Sequence, residues 1–308
     1  MSEKPFNYGG QAVLEGVMMR GSRAMAVAVR NPEGEIVTHV EPVNQTLYNG
    51  PISRIPFIRG LTMLWDALGL GMRSLMFSAD VAMGEEEEQA SFSGPVAWGT
   101  VVISLAFGIG LFFVLPLLIV GFVDRLLPHS LLSNLLEGLI RLLLFVGYVW
   151  VIGQMSDIKR VFSYHGAEHK TINAYEAGAE LTPPSVNRFT TLHPRCGTAF
   201  LLSVVVISIL IFSVLGRPAL WLRLLSRVIM IPVIAGVAYE YIRFSARHLD
   251  KPWMRAIVAP NLAMQRLTTR QPDERMLEVA ITAFNCMMAV EKSPADQFEV
   301  QTSEVATS

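Results

Sequence analysis

The sequence predicts a mainly α protein: a four-helix transmembrane bundle with a small N-terminal β-hairpin element and cytosolic helices. Three observations carry that expectation. Apolar residues make up 52% of the 308-residue chain and its mean hydropathy is +0.42, more than a water-soluble globule carries. Residues 94–123 and 197–216 contain no charged side chain, and each stretch can cross roughly 30 Å of hydrocarbon at about 1.5 Å per residue. Residues 131–153 and 220–242 are also of spanning length but carry Glu137, Arg141, Arg223, Arg227 and Glu240, which must pair within the protein or reach an interface.

The remaining elements follow in chain order. Residues 1–29 lack the continuous apolar middle section of a secretory signal, so the mature chain is expected to begin at Met1. Residues 24–40 place two β-branched runs around Asn31-Pro32-Glu33-Gly34, a hairpin turn signal, within an N-terminal β element spanning 1–52. Residues 53–93 are expected to form an amphipathic interfacial helix followed by an acidic linker at 85–88. Arg59, Asp66 and Arg73 recur every seven residues on one narrow stripe of that helix, which suits either the membrane surface or a packed core.

The expected hairpins, 94–153 and 197–242, are separated by a loop at 154–196. That loop and the segment after the last span carry Lys159, Arg160, Lys170, Arg188, Arg195, Arg243, Arg247, Lys251 and Arg255, against Arg125 and Arg217 in the two short connections. The asymmetry puts the loop and both termini in the cytoplasm. Glu137 then falls in the outer half of the bilayer, where a pair with Arg223 or Arg227 is the economical arrangement and a transport path the weaker alternative. Cytosolic helices are expected over 243–291, one opening at Pro272-Asp273-Glu274 with apolar Met276, Leu277, Ile281, Phe284 and Met288 at helical spacing, and 292–308 as a disordered tail.

Composition excludes several functions. Twenty-five basic against 26 acidic residues leave no positive excess for nucleic acid, and two cysteines, Cys196 and Cys286, build no disulfide framework. No phosphate loop, dinucleotide fingerprint or nucleophile elbow is present.

Chemistry concentrates in the loop at 154–196. His165-Gly166-Ala167-Glu168-His169 is a His-x-x-Glu-His motif; on a helix its imidazoles lie about 40° apart and one turn apart, so both can reach one cation with Glu168 beside them. His193-Pro194-Arg195-Cys196 closes the same loop with a further nitrogen and sulfur donor, and zinc or another divalent metal of borderline softness accepts both. If His165, His169, His193 and Cys196 all bind, the metal is structural; if three bind, a water position opens and Glu168 is the candidate catalytic base. Glu176 lies about 10 Å further along the helix, too far to join. Glu15 and Glu240 are possible accessory groups, as is Arg20 in the glycine-rich segment 9–21, which suits an active-site lip or a plain turn.

These blocks resemble a known family. GGQAVLEGVMMRG, RIPFIRG, YHGAEHKTINAYE, HPRCGTAF, YEYIRFSAR and MQRLTTRQPDE are similar to segments of the YqhQ-like domain-of-unknown-function family of bacterial membrane proteins, over nearly all of residues 7–288. The resemblance implies a multi-pass protein of the bacterial plasma membrane and a metal-dependent enzyme, with Glu15, Arg20, His165, Glu168, His169, His193, Cys196 and Glu240 as shared positions. It supplies no substrate. The expected function is therefore a membrane-integral zinc-dependent hydrolase at the cytosolic membrane face, acting on a membrane-associated peptide or lipid. The alternative is a non-catalytic, metal-stabilised scaffold for a membrane partner.

Overall fold

The computed structural model describes residues 8–43, 55–84, 95–123, 129–214 and 219–293. The acidic linker at 85–88 and the tail beyond 293 lie outside them.

The N-terminal segment forms an antiparallel meander, β1 (Gly9–Val13), β2 (Gly16–Arg20), β3 (Ala24–Arg30) and β4 (Ile36–Pro42), in sequential order. The expected hairpin is β3–β4. Its turn is closed by Asn31, whose N–H donates to Glu35 O at 2.9 Å, and by Gly34 at φ +93°. The glycine-rich segment supplies the two further strands, with Gly9 opposite Arg20 and Val13 opposite Gly16. They escape periodicity because β1 has small or polar residues where a strand signal needs branched ones.

Alternation splits the sheet into two buried faces. Val13, Met18, Met25, Val27 and Val29 pack with Leu70 of α1 (Ile58–Met83). Val17, Met19, Ala26 and Ala28 pack against α5 (Ser156–Glu176) and α10 (Glu274–Lys292). Asp273 caps α10, its Oδ1 accepting from Met276 N at 2.8 Å. The alanines of β3 let the helices approach while the larger residues fill the α1 side. The α5 helix is thereby fixed from one side by the sheet.

Among the described residues three helices are long and apolar enough to cross a membrane, rather than a clear four. The first runs through α2 (Pro95–Ile109), a π turn (Gly110–Val114) and α3 (Leu115–Val123); the second is α4 (Ser130–Ile152); the third lies in α8 (Leu220–Arg247). After the single-turn α6 (Pro183–Val186), the expected span at 197–216 is α7 (Gly197–Ser213), apolar but only 17 residues long. Pro116 has no N–H for the carbonyl four residues back, Phe112, and Arg141 Nε donates to that oxygen at 2.9 Å. Arg141 also reaches Glu137 Oε1 at 2.7 Å, and Arg227 donates to both Glu137 oxygens at 3.0 Å, so the expected pair between helices is present with a second arginine added.

The segment 254–270 reads as mixed in sequence but is mostly α9 (Pro252–Thr268), interrupted in pattern by Pro260. Its C-terminal end meets α5 through the connection to α10. Arg270 N donates to Phe162 O at 2.9 Å and Arg270 Nη2 to Gly153 O at 2.8 Å. A Cβ on Gly166 would overlap the Arg270 carbonyl oxygen. Gly166→Ala is therefore expected to push α9 from α5 at a cost of about 1–3 kcal/mol or more, read as a lower unfolding temperature of the detergent-purified protein.

Candidate metal centre

Helix α5 presents His165 and His169 on one face, as their spacing requires, and Cys196 arrives from the N-terminus of α7. Their donor atoms lie within 4.8 Å of one another, and the three side chains are 9%, 1% and 7% exposed. His165 Nε2 and Cys196 Sγ are 3.0 Å apart, and the two imidazole centroids 4.4 Å.

Main-chain oxygens set the ring orientation. His165 Nδ1 donates to Thr268 O at 2.8 Å and His169 Nδ1 to Thr191 O at 2.6 Å. A carbonyl only accepts, so in the neutral rings Nδ1 carries the proton and Nε2 offers its lone pair toward the cluster. At His165 that lone pair meets the Cys196 thiol. At His169 it is buried with no hydrogen-bond partner among the described residues. An orphaned buried acceptor beside a thiol and a second imidazole fits a soft-to-borderline divalent cation, whose ligands are commonly oriented through the other ring nitrogen.

The carbonyls are themselves held in place. Asn173 Nδ2 donates to Thr190 O at 2.9 Å and Leu192 O at 3.1 Å, and Lys170 Nζ reaches Asn187 O at 2.6 Å, binding the loop around Thr191 to α5. Buried Gln265 clamps His193 from α9: His193 N donates to its Oε1 at 2.9 Å, and its Nε2 donates to His193 O at 2.7 Å. That clamp fixes the approach to Cys196, the N-cap of α7, whose Sγ accepts from Thr198 N at 3.4 Å at the end of the helix that favours negative charge.

Glu168 lies beside the histidine pair and against β1, close enough to His165 to feel its charge. A Cβ on Gly10 would crowd its Cγ at 3.0 Å, so the glycine permits the approach and its N–H hydrogen-bonds the carboxylate. Burial pushes the Glu168 carboxyl up to about 7, opposed by His165 and by that N–H, and Oε2 has no partner among the described residues.

Other sequence candidates lie apart from the three donors. His193 is adjacent, its ring 5.6 Å from that of His169, but its Nε2 faces Glu176 Oε2 at 3.7 Å, and Arg195 also pairs with Glu176. Glu15 pairs with Arg160 and lies 3.4 Å from Tyr164 Oη. Arg20 meets Asp66 at 3.5 Å, and Glu240 is bound by Arg59. Thr191, Thr268 and Gln265 were not legible as site residues: two act through main-chain oxygens, which any residue has. Gly166 inside the motif was the available signal of a close backbone approach.

The fold and cluster define a class: helices of membrane-spanning length joined to a sheet-and-helix layer that carries a buried His-His-Cys group. The model of the family described as "Protein of unknown function (DUF1385)" matches residues 55–290, and the chain belongs to that family. It is 32% identical over 298 residues to the uncharacterised protein YqhQ of Bacillus subtilis (strain 168), covering 93% of this chain and 94% of that protein. No solved structure matches the chain.

Proposed function

We propose that the chain is a metal-dependent hydrolase of the bacterial plasma membrane, using zinc at the cytosolic face. The observation that carries this reading is the convergence of His165, His169 and Cys196, with both imidazoles held by carbonyls so that Nε2 is free to ligate. Two imidazoles and one thiol suit zinc. Three protein donors among the described residues, rather than four, leave a position for water or substrate, the distinction between catalytic and structural sites. When bound, the metal supplies Lewis acidity and a more acidic water. Glu168, adjacent in the motif and with a buried oxygen that has no partner among the described residues, holds and moves the proton. A Cys196–His165 nucleophilic pair without metal uses the 3.0 Å contact but gives the orphaned His169 Nε2 no role.

The topology proposed with this function has α7 as a fourth crossing and both termini in the cytoplasm. Its support is the basic excess on one side, Arg243 and Arg247 at the end of α8 included. A site between α5 and the start of α7 then lies at the membrane boundary, where membrane-associated peptides or lipids are the substrates.

The test uses zinc-loaded protein in liposomes made from bacterial membrane extract, with hydrolysis products followed by mass spectrometry. Glu168→Gln is expected to keep its zinc and unfolding temperature and to lose about 100-fold or more of the turnover. Unchanged turnover in this variant overturns the role of Glu168. No turnover in wild type, with stability lost on zinc removal, favours the non-catalytic scaffold instead.

A further inference from the structure

Helix α1 meets the protein largely through small residues, with Leu70, Phe77 and Val81 packed against the sheet, and presents a second bulky apolar face outward. Its buried positions are Gly60, Leu70, Gly71, Ser74 and Ser78, mostly small. Its bulky residues point outward: Trp65 is 79% exposed, Leu68 61%, Met72 40% and Leu75 37%. At about 100° per residue, those four fall within an arc of about 80°. Ile58 and Met83 extend the same apolar face to both ends of the helix. The charged stripe at Arg59, Asp66 and Arg73 lies on the flank and is tied to protein, by Glu240, Arg20 and Glu41 respectively.

Small residues against protein and large apolar residues outward is the arrangement of helices packed in lipid, where close backbone approach drives association and hydrocarbon solvates the outer face. The close approaches are present. A Cβ on Gly60 would meet the Tyr239 ring of α8, one on Gly71 would overlap Gln11 of β1, and Phe57 lies against Gly236. The helix therefore leaves a spanning helix, α8, near its basic end and continues along the sheet.

We propose that α1 lies along the membrane leaflet at which α8 ends with Arg243 and Arg247, its face of Trp65, Leu68, Met72 and Leu75 immersed in hydrocarbon. The bilayer is the occupant because the apolar face continues from a spanning helix and runs the whole length of α1. A protein partner would need only a patch, and water would leave four large side chains exposed together. The sheet is thereby held against that leaflet, independent of whether the histidine–cysteine cluster carries a metal.

The experiment introduces Leu68→Cys and Leu75→Cys separately into the full chain carrying Cys286→Ser, reconstituted in phosphatidylethanolamine–phosphatidylglycerol liposomes, with Asp157→Cys as the exposed control. A membrane-impermeant maleimide, applied after permeabilising the vesicles, is expected to label Leu68→Cys and Leu75→Cys about tenfold or more slowly than the control. Spin labels at the same positions are expected to collide with oxygen in preference to a polar nickel complex. Labelling as fast as the control overturns the proposal. So does protection without oxygen collisions, which would mean that a second copy or another protein covers the face.

Discussion

Glu137→Leu is expected to destabilise the helical bundle by about 3–5 kcal/mol, the range for stranding buried charge by removing its partner. Glu137 is 2% exposed, Arg141 3% and Arg227 4%. The carboxylate accepts from both arginines, so its loss leaves two guanidinium groups facing each other's charge in a low-dielectric bundle. Among the described residues their other contacts do not replace a counter-charge: Phe112 O, Ser208 Oγ at 3.4 Å and the Phe113 and Phe212 rings for Arg141, and the Phe212 ring at 3.8 Å for Arg227. Glu137→Gln keeps the shape and one acceptor and should lose less. Replacing Glu137, Arg141 and Arg227 together by apolar residues should recover part of the loss, because a buried ion group contributes little net stability once nothing is left unpaired. The measurement is the temperature at which half of the detergent-solubilised protein remains monodisperse by size exclusion. A Glu137→Leu protein as stable as wild type would show that the ion group is not what joins these helices.

His169→Ala is expected to weaken zinc binding by more than about 100-fold, since even partners one shell removed from a metal change affinity by about 10–100-fold. Cys196→Ala should do the same. His193→Ala should leave zinc content near one per chain, because its side chain faces Glu176 and its place in the loop is fixed through the main chain by Gln265. Elemental analysis of the purified variants, each checked by circular dichroism for intact helix, separates the two arrangements. Zinc lost equally from His193→Ala and His169→Ala would mean a closed four-donor shell, and with it a structural metal in place of a catalytic one.

Most of the helical architecture was legible because its physics is local. Charge-free stretches mark apolar helices, and Asp273 ahead of an apolar repeat marks the start of α10. Two elements escaped for equally local reasons. The β1–β2 hairpin is written largely in glycine, alanine and glutamine, whose strand signal is weak, and α9 carries a proline that interrupts its pattern. The stripe of Arg59, Asp66 and Arg73 on α1 was visible, but which side of that helix faces protein was not, because small residues and bulky ones each give a consistent face.

The same division runs through the candidate site. By itself the sequence determined that His165 and His169 share a helix face with Glu168 beside them, since 3.6 residues per turn leaves no other outcome over four residues. Only the tertiary structure decided that Cys196 joins them while His193, three residues before it, turns to Glu176. Only it showed that the carbonyls of Thr191 and Thr268 hold the rings. The reason is range: a helical repeat fixes neighbours within a turn, whereas the meeting of α5, α7 and α9 depends on hydrogen bonds such as that between Gln265 and His193, 72 positions apart, which no local pattern encodes.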